Sequence, residues 1–477
     1  MTKSHVISGI RWTLITSVIR RSITLILFYF IAKWLSKEDL GIYREYCLIL
    51  GLFTVVSSLS FDFHYIIEQR QSHTGLIALW QITAIASVTG FIVLNLSSGR
   101  LGTLYDSKLL GNLLHFTSIF IIVEIIRRTV RSMAIKYMQF RELALAETYN
   151  VIFYSAVTLA ALYLYRSIWV YVIVFYLGNA LETIYLWNLN RGKISKALGR
   201  IFRQRKLLCL SLRHYRSFLT QATLVSVINQ FSGNAPILIL GMIIEPVYMG
   251  IYFFASQLIG VPIGMFTNAI NQVFFPVFAG KKDGDIGSMV SRYIRLISYV
   301  GIPLLMLFSF IAMYAVNLLF GSKWGDAIPL IPTMVILYGA GLYVTPISGI
   351  PFIKRKPGWE LIWNTIALII KAGAMLIGLQ TSFITAIWAY AVSGAVMSFV
   401  FYFMSMYLIK VNLGHTLRKL LLSFVPFLIY GLFLKLIYHL STMYAILSAV
   451  LGCLILLIVI DVCNKGNLRQ DLKTILS

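Results

Sequence analysis

Long apolar stretches, separated by short polar segments, dominate the hydrophobicity pattern of this chain. A helix rises about 1.5 Å per residue, so a stretch of about 20 apolar residues is long enough to cross the hydrocarbon core of a bilayer. The pattern therefore predicts an all-α polytopic membrane protein of about fourteen transmembrane helices. The predicted ranges are 10–33, 41–62, 76–97, 110–126, 147–165, 168–190, 218–243, 247–271, 297–320, 328–351, 359–380, 384–409, 420–438 and 442–462.

A short motif recurs along the chain with an offset of 209 residues. Gly41-Ile42-Tyr43 returns as Gly250-Ile251-Tyr252, and Gly51 returns as Gly260. This recurrence favours a duplicated membrane lobe, with chance similarity between apolar segments as the alternative. The same offset also pairs polar positions inside apolar segments: Arg20-Arg21 with Asn229-Gln230, and Asp62 with Asn271.

The longest basic connection, residues 191–217, lies where a duplicated chain would join its halves. It predicts an N-terminal lobe of six helices at 1–205, a second lobe of six helices at 206–412, and an additional helix pair with a tail at 413–477. Lobes that start on the same side of the membrane form a parallel repeat. Such an arrangement predicts alternating access by rocking of two bundles around a central site.

Composition excludes a water-soluble globule, since 59% of the residues are hydrophobic and only 12% are charged. The net charge of +24 would suggest a nucleic-acid partner in a soluble protein. Here most Lys and Arg lie in the segments that connect the predicted spans, and they concentrate in the connections on one side of the membrane. The positive-inside rule then predicts cytoplasmic termini and membrane lipids, rather than nucleic acid, as the partner of the basic segments.

Nothing in the chain favours an enzyme. The longest predicted external loop, around Ser97 to Leu109, is too short for a catalytic domain. The four cysteines lack CxxC spacing and the seven histidines form no HxxxH or HExxH pair, so neither a metal nor another cofactor is predicted. A membrane polysaccharide polymerase or ligase is accordingly the less favoured alternative from another class.

Several segments resemble the oligosaccharide flippases, the polysaccharide-transport family of the multidrug/oligosaccharidyl-lipid/polysaccharide exporter superfamily. The resemblance spans roughly residues 5–350, and the family often has Pro where Ser36 or Lys37 stands. The segments that carry it are Ser8-Gly9-Ile10-Arg11-Trp12, Leu35-Ser36-Lys37-Glu38-Asp39-Leu40-Gly41-Ile42-Tyr43, Gly250-Ile251-Tyr252 with Pro262, Phe274-Phe275-Pro276-Val277-Phe278, and Leu319-Phe320-Gly321-Ser322-Lys323-Trp324.

The resemblance implies two six-helix bundles around a V-shaped cavity. It implies transport and no covalent reaction. It implies movement of a polyprenyl-pyrophosphate-linked oligosaccharide, the repeat unit of a surface polysaccharide, across the bacterial cytoplasmic membrane. A polysaccharide polymerase is a possible partner. By analogy, the last helix pair, 420–462, could form a groove for the lipid tail. Alternatives within the superfamily are a peptidoglycan-precursor flippase and a drug or cation antiporter.

Three cations near the middle of predicted spans are the candidate phosphate ligands: Arg20, Arg21 and Lys371. An arginine at mid-depth is costly in a bilayer, and its planar fork binds two phosphate oxygens at once. The alternative for the arginines is an ion pair with an intramembrane acid. Candidate sugar-binding amides, with interhelical hydrogen bonding as the equal alternative, are Asn229, Gln230, Asn234, Asn268 and Asn271.

Acidic residues near the same ends of predicted spans could bind a counter-ion, H⁺ or Na⁺. Asp62 is the stronger candidate because its counterpart in the repeat is polar. Glu124 is a second candidate, although it precedes Arg127 and Arg128 by three and four residues, which favours a local ion pair. Without a coupling ion, the membrane potential could act on the anionic headgroup itself.

Overall fold

The described part of the chain is mostly helical. The computed structural model describes residues 3–58, 61, 65–66, 73–200, 205–279, 283–348, 350–353, 357–411, 414 and 428–463, and no β-strand occurs within these ranges. Ten helices there are long and apolar enough to cross a membrane, or eleven if one bent pair counts as a single span. An all-α polytopic fold is confirmed, while the number fourteen stays a prediction.

The first compact unit comprises Met1–Phe253. Its helices are α1 (Lys3–Trp34), α2 (Lys37–Ser58), α3 (His73–Leu104), α4 (Lys108–Thr117), α5 (Phe120–Lys136), α6 (Phe140–Tyr165), α7 (Ile168–Leu189), α8 (Arg191–Leu198) and α9 (Arg205–Leu240). α10 (Pro246–Ala279) begins in this unit. The unit boundaries do not decide between alternative lobe boundaries, so the predicted division at residues 205 and 412 remains a prediction.

The second unit comprises Phe254–Ser477. After α10 it contains α11 (Asp283–Leu296), α12 (Ile302–Phe320), α13 (Ile331–Val344), α14 (Ile350–Ile353), α15 (Pro357–Leu379), α16 (Phe383–Leu408), α17 (Leu428–Ile437) and α18 (Thr442–Cys463). A π-helical turn, Ile297–Gly301, joins α11 to α12, and a 3₁₀ segment, Gly321–Leu330, joins α12 to α13. The aromatic end of the Leu319–Trp324 motif packs around Phe254, whose ring stacks on Trp324 at 4.2 Å between centroids.

The predicted fourth span, 110–126, is longer than expected and broken. α4 and α5 meet at an angle of 58°. Asn95 of α3 holds the break, because its amide donates to the carbonyl of His115 at 3.3 Å and to the hydroxyl of Ser118 at 2.9 Å. The expected loop of Ser97 to Leu109 is mostly helical, since α3 continues to Leu104 and α4 starts at Lys108.

The two copies of the repeated motif meet each other in the first unit. A Cβ on Gly41 would lie 1.9 Å from the carbonyl oxygen of Pro246, and a Cβ on Gly250 would lie 1.8 Å from that of Lys37. Pro246 is the repeat counterpart of Lys37 at the 209-residue offset. The contact is therefore reciprocal, as a local two-fold relation between α2 and the start of α10 requires. Only glycine at both positions permits this backbone approach.

Candidate functional site

Six charged side chains from four helices of the first unit form one connected cluster. It contains three arginines and three glutamates, so its formal charges balance. The members are Arg20 on α1, Glu124, Arg127 and Arg131 on α5, Glu147 on α6 and Glu182 on α7. Charged groups inside a membrane protein pair with one another or face an aqueous cavity, and these six do the former.

Glu182 is the centre of the cluster, with a side chain that is 1% exposed. Arg131 Nη1 donates to its Oε1 at 2.7 Å, and Arg127 Nη1 approaches its Oε2 at 3.4 Å. Asn150 of α6 donates to the same Oε2 at 2.8 Å. Both carboxylate oxygens of this buried acid are therefore satisfied, as a charge in low dielectric requires.

The α5 pair extends the network toward α7. Glu124 accepts two hydrogen bonds from Arg127, 3.0 Å from Nε and 2.5 Å from Nη2. Asn179 donates its amide to Glu124 at 3.3 Å and accepts from Asn150 at 3.1 Å. The local ion pair expected as the alternative for Glu124 is present, and a role for this residue in ion coupling stays a prediction.

Arg20 joins the network through one shared carboxylate. Glu147 forms ion pairs with both Arg20 and Arg131. The Arg20 side chain is 16% exposed, and it lies about midway along α1. The intramembrane ion pair named as an alternative is thus realised, with Glu147 as the acid. Because Glu147 also holds Arg131, it would keep one positive partner if Arg20 turned to another anion.

The remaining candidates occupy different surroundings. Arg21 follows on α1 and is partly buried. Asn229 is exposed on α9, whereas Gln230 packs its amide against Gly51 of α2. Asn268 and Asn271 belong to α10, for which only the backbone is described at these positions, and Asp62 lies outside the described residues.

Arg44 is a site residue that sequence reasoning missed. Its Nη2 donates to Asn234 Oδ1 at 2.5 Å, and its guanidinium lies 5.6 Å from the ring centroid of Phe253. Asn234 has non-helical dihedrals two residues before Pro236, so Arg44 contacts α9 at its kink. A signal was available, since Arg44 directly follows the repeated Gly-Ile-Tyr and lies within the predicted span 41–62.

The second unit holds Lys371 and an apolar groove. Lys371 on α15 places its ammonium 5.5 Å from the ring centroid of Tyr390 on α16. The groove has a volume of about 760 Å³ and lies among α12, α13, α16 and α17. Its lining is mostly aliphatic and aromatic, and its polar residues include Lys435 and His439. Such a composition suits a long hydrocarbon chain with an anionic end.

Comparison with known proteins identifies relatives over most of the chain. Residues 30–329 match the model of a family described as polysaccharide biosynthesis protein. The teichuronic acid biosynthesis protein TuaB of Bacillus subtilis (strain 168) is 22% identical over 424 residues, 88% of this chain and 86% of that protein. The lipopolysaccharide biosynthesis protein WzxC of Escherichia coli (strain K12) is 22% identical over 431 residues, 89% of this chain and 85% of that one.

Solved structures share the fold. A lipid II flippase MurJ in an inward closed conformation superposes with a TM-score of 0.64 at 14% identity, covering 96% of this chain and 99% of that chain. An inward-facing multidrug resistance transporter of the MATE family gives a TM-score of 0.53 at 12% identity, covering 83% of this chain and 98% of that chain. At these identities the likeness concerns the fold alone, which agrees with the superfamily architecture expected from the sequence.

Proposed function

Because the chain belongs to the family of polysaccharide biosynthesis proteins, we propose that it moves a polyprenyl-pyrophosphate-linked oligosaccharide from the inner to the outer leaflet of a bacterial cytoplasmic membrane. The match to this family along residues 30–329 is the observation that carries the proposal. The relatives named for teichuronic acid and lipopolysaccharide biosynthesis support a surface polysaccharide as the end product.

The chemical problem is the pyrophosphate. Moving an isolated charge into hydrocarbon costs on the order of tens of kcal/mol, so the headgroup needs fixed cations along its route. Arg20 fits this task because it lies about midway along α1 and its acid, Glu147, is shared with Arg131. A phosphate could replace Glu147 at Arg20 without leaving an unpaired carboxylate, since Arg131 would retain Glu147.

Other parts of the protein would bind the sugar and the lipid chain of the substrate. Gln230, Asn234 and Arg44 offer amide and guanidinium groups along α2 and α9, suited to hydroxyl groups. The groove beside α17 would hold part of the lipid chain in the second unit. A counter-ion, H⁺ or Na⁺, and a polysaccharide polymerase partner belong to the same proposal.

Reconstituted protein tests the proposal directly. Full-length protein in proteoliposomes is supplied with lipid-linked oligosaccharide extracted from the native host, and a glycan-cleaving enzyme added outside measures what reaches the outer leaflet. We expect Arg20→Ala to reduce the flipping rate at least tenfold. Arg100→Ala, which removes an exposed cation from α3, is the matched control and should flip at the unaltered rate.

Deletion in the native host identifies the substrate class. A deletion strain should lose surface polysaccharide and accumulate its repeat unit on the lipid carrier in the inner leaflet. Accumulation of peptidoglycan precursor instead would favour the peptidoglycan-precursor flippase, and unchanged glycan with altered drug resistance would favour the antiporter. Restored export by Arg20→Ala at the full rate would contradict the role assigned to Arg20.

A further inference from the structure

A buried carboxyl group lies outside the charge cluster. Glu45 on α2 is 0% exposed, and within the described ranges neither of its carboxyl oxygens has a hydrogen-bond partner. The hydroxyl of Tyr105, in the turn between α3 and α4, is equally buried and also lacks a partner there. An ionised carboxylate is stable in such a place only with a compensating charge or donors, so Glu45 is a neutral acid in this conformation.

Three elements wall off the site. The position that a Cβ on Gly241 would take lies 2.9 Å from Glu45 Oε1 and 3.0 Å from Tyr105 Cε1. Gly241 directly follows α9, and its N–H is bonded to the carbonyl of Ile237 at 3.1 Å. The missing side chain at Gly241 leaves the space into which the carboxyl group and the phenol ring project.

Charged groups near this site point elsewhere. Arg44, the residue before Glu45 on α2, directs its guanidinium to Asn234. Asp106 and Lys108, which follow Tyr105, and Glu245, in the connection between α9 and α10, are exposed. The α7 tyrosines that reach α2 meet tyrosines rather than Glu45. Tyr176 bonds to Tyr46 at 3.1 Å, and the ring of Tyr171 packs on that of Tyr43 at 4.4 Å between centroids. In the described part of the chain, Tyr105 is thus the titratable group that faces Glu45.

We propose that Glu45 is a proton-binding site, occupied while the start of α2 lies against the α9–α10 connection and emptied when that contact opens to water. A proton suits the site better than a metal ion. Hard cations take about six or more oxygen ligands, whereas this pocket presents two carboxyl oxygens and one hydroxyl, and the nearby Ile237 carbonyl is already bonded to Gly241.

The neighbouring glycine contact supplies the link to a movement. Gly41 lies four residues before Glu45 and therefore one turn away on the same face of α2. There it touches Pro246 and Gly250, on the far side of the same connection that carries Gly241. Separation at this crossing would admit water to Glu45 and allow it to ionise.

The sign of the linkage follows from which form binds the proton. The closed form holds a proton that the opened, hydrated form releases, so closure is favoured at low pH and weakens as pH rises. For one proton the opening equilibrium rises by up to tenfold per pH unit between the titration ranges of the two forms. Coupling of this proton to glycan movement rests on the proposed function, whereas proton binding itself does not.

Infrared difference spectroscopy tests protonation on purified full-length protein. The carbonyl stretch of a protonated carboxylic acid should be present in the wild type at neutral pH and missing from Glu45→Gln. Glu245→Gln, which alters an exposed acid in the adjoining connection, should keep the band. Tyr105→Phe should keep it at a shifted frequency. If the wild type and Glu45→Gln show the same carbonyl band, the assignment is overturned.

Thiol accessibility tests the linkage to opening. Met249, buried at the start of α10, is replaced by Cys in a chain whose native cysteines are replaced by Ala. Its labelling is expressed as the ratio of its rate to that of an exposed Lys196→Cys reference at the same pH, which removes the ordinary rise in thiolate with pH. This ratio should rise with pH by up to tenfold per unit, and Glu45→Gln should make it independent of pH. Should Glu45→Gln not accumulate, Tyr105→Phe gives the test, because loss of the hydroxyl should displace the pH profile.

Adding sodium distinguishes a proton from a sodium ion as the cation bound at Glu45. Labelling that ignores pH but falls with added NaCl, relative to KCl at the same concentration, would overturn the proton assignment in favour of sodium. Labelling that responds to neither would overturn the linkage. Since both measurements use protein without glycan substrate, they can succeed even if the flipping assay fails, and the two proposals fail separately.

Discussion

At the scale of single residues, the charge cluster of the first unit is organised by one acid. Glu182 is bound by Arg127, Arg131 and Asn150, and its own side chain is almost fully buried. Removing its charge would leave the cluster with one uncompensated positive charge. Breaking a buried pair in this way costs about 3–5 kcal/mol, much more than an exposed ion pair contributes.

We therefore expect Glu182→Gln to lower the free energy of unfolding by about 3–5 kcal/mol. The matched control is Glu142→Gln on α6, whose carboxylate accepts one exposed hydrogen bond from Tyr185 and should change stability by about 0.5 kcal/mol or less. Thermal unfolding of purified protein in detergent, followed by size-exclusion fluorescence, measures both. Equal melting temperatures for the two variants would contradict a central role for Glu182.

How far the sequence could anticipate this site depends on which residues are considered. Arg20 was identifiable because an arginine deep in an apolar stretch is rare. Its partner was not, since Glu147 was one of several acids in the same lobe and the pairing depends on how α1 packs against α6. Glu45 was missed because a charge near a span end is ordinary, and only tertiary packing shows that it is buried.

At the scale of helices, long apolar stretches predicted an all-α fold with many membrane-spanning helices, because a membrane helix must satisfy its own backbone and its length is set by the bilayer. The number fourteen stays a prediction. The break between α4 and α5 could not be predicted, since no Pro or Gly marks it. There, Asn95 from another helix donates to the carbonyl of His115 and to the hydroxyl of Ser118, contacts that only tertiary packing provides. The repeated Gly-Ile-Tyr predicted duplication, but its reciprocal contact required the structure.

That contact makes a sharp prediction for α2. Gly41→Ala places a methyl group against the carbonyl of Pro246, a backbone atom that cannot move aside, and should cost about 1–3 kcal/mol. The control is Gly99→Ala on α3, where nothing lies within 4 Å of the added Cβ. There, alanine's better helix propensity should stabilise the protein by about 0.5–1 kcal/mol. The two substitutions should thus shift the melting temperature in opposite directions, and a shift of the same sign would argue against the crossing.

At the scale of the whole molecule, the bent pair α4–α5 decides the topology of the first unit. If the pair is one broken span, three crossings separate Lys108 from Lys196: the pair, α6 and α7. The two residues then lie on opposite sides of the membrane. If the pair instead re-enters from the side on which it started, two crossings remain and both residues lie on one side. Tyr165, the last residue of α6, shows on which side of the membrane the chain turns from α6 to α7.

Single cysteines at these three exposed positions, in a chain whose native cysteines are replaced by Ala, distinguish the topologies. With a broken span and cytoplasmic termini, we expect an impermeant maleimide to label Lys108→Cys and Tyr165→Cys in intact cells, and Lys196→Cys only after permeabilisation. This pattern follows from the basic residues near α8, which the positive-inside rule keeps in the cytoplasm. Labelling of Lys108→Cys and Lys196→Cys together, with Tyr165→Cys protected, would instead make α4–α5 a re-entrant element and remove one span from the first lobe.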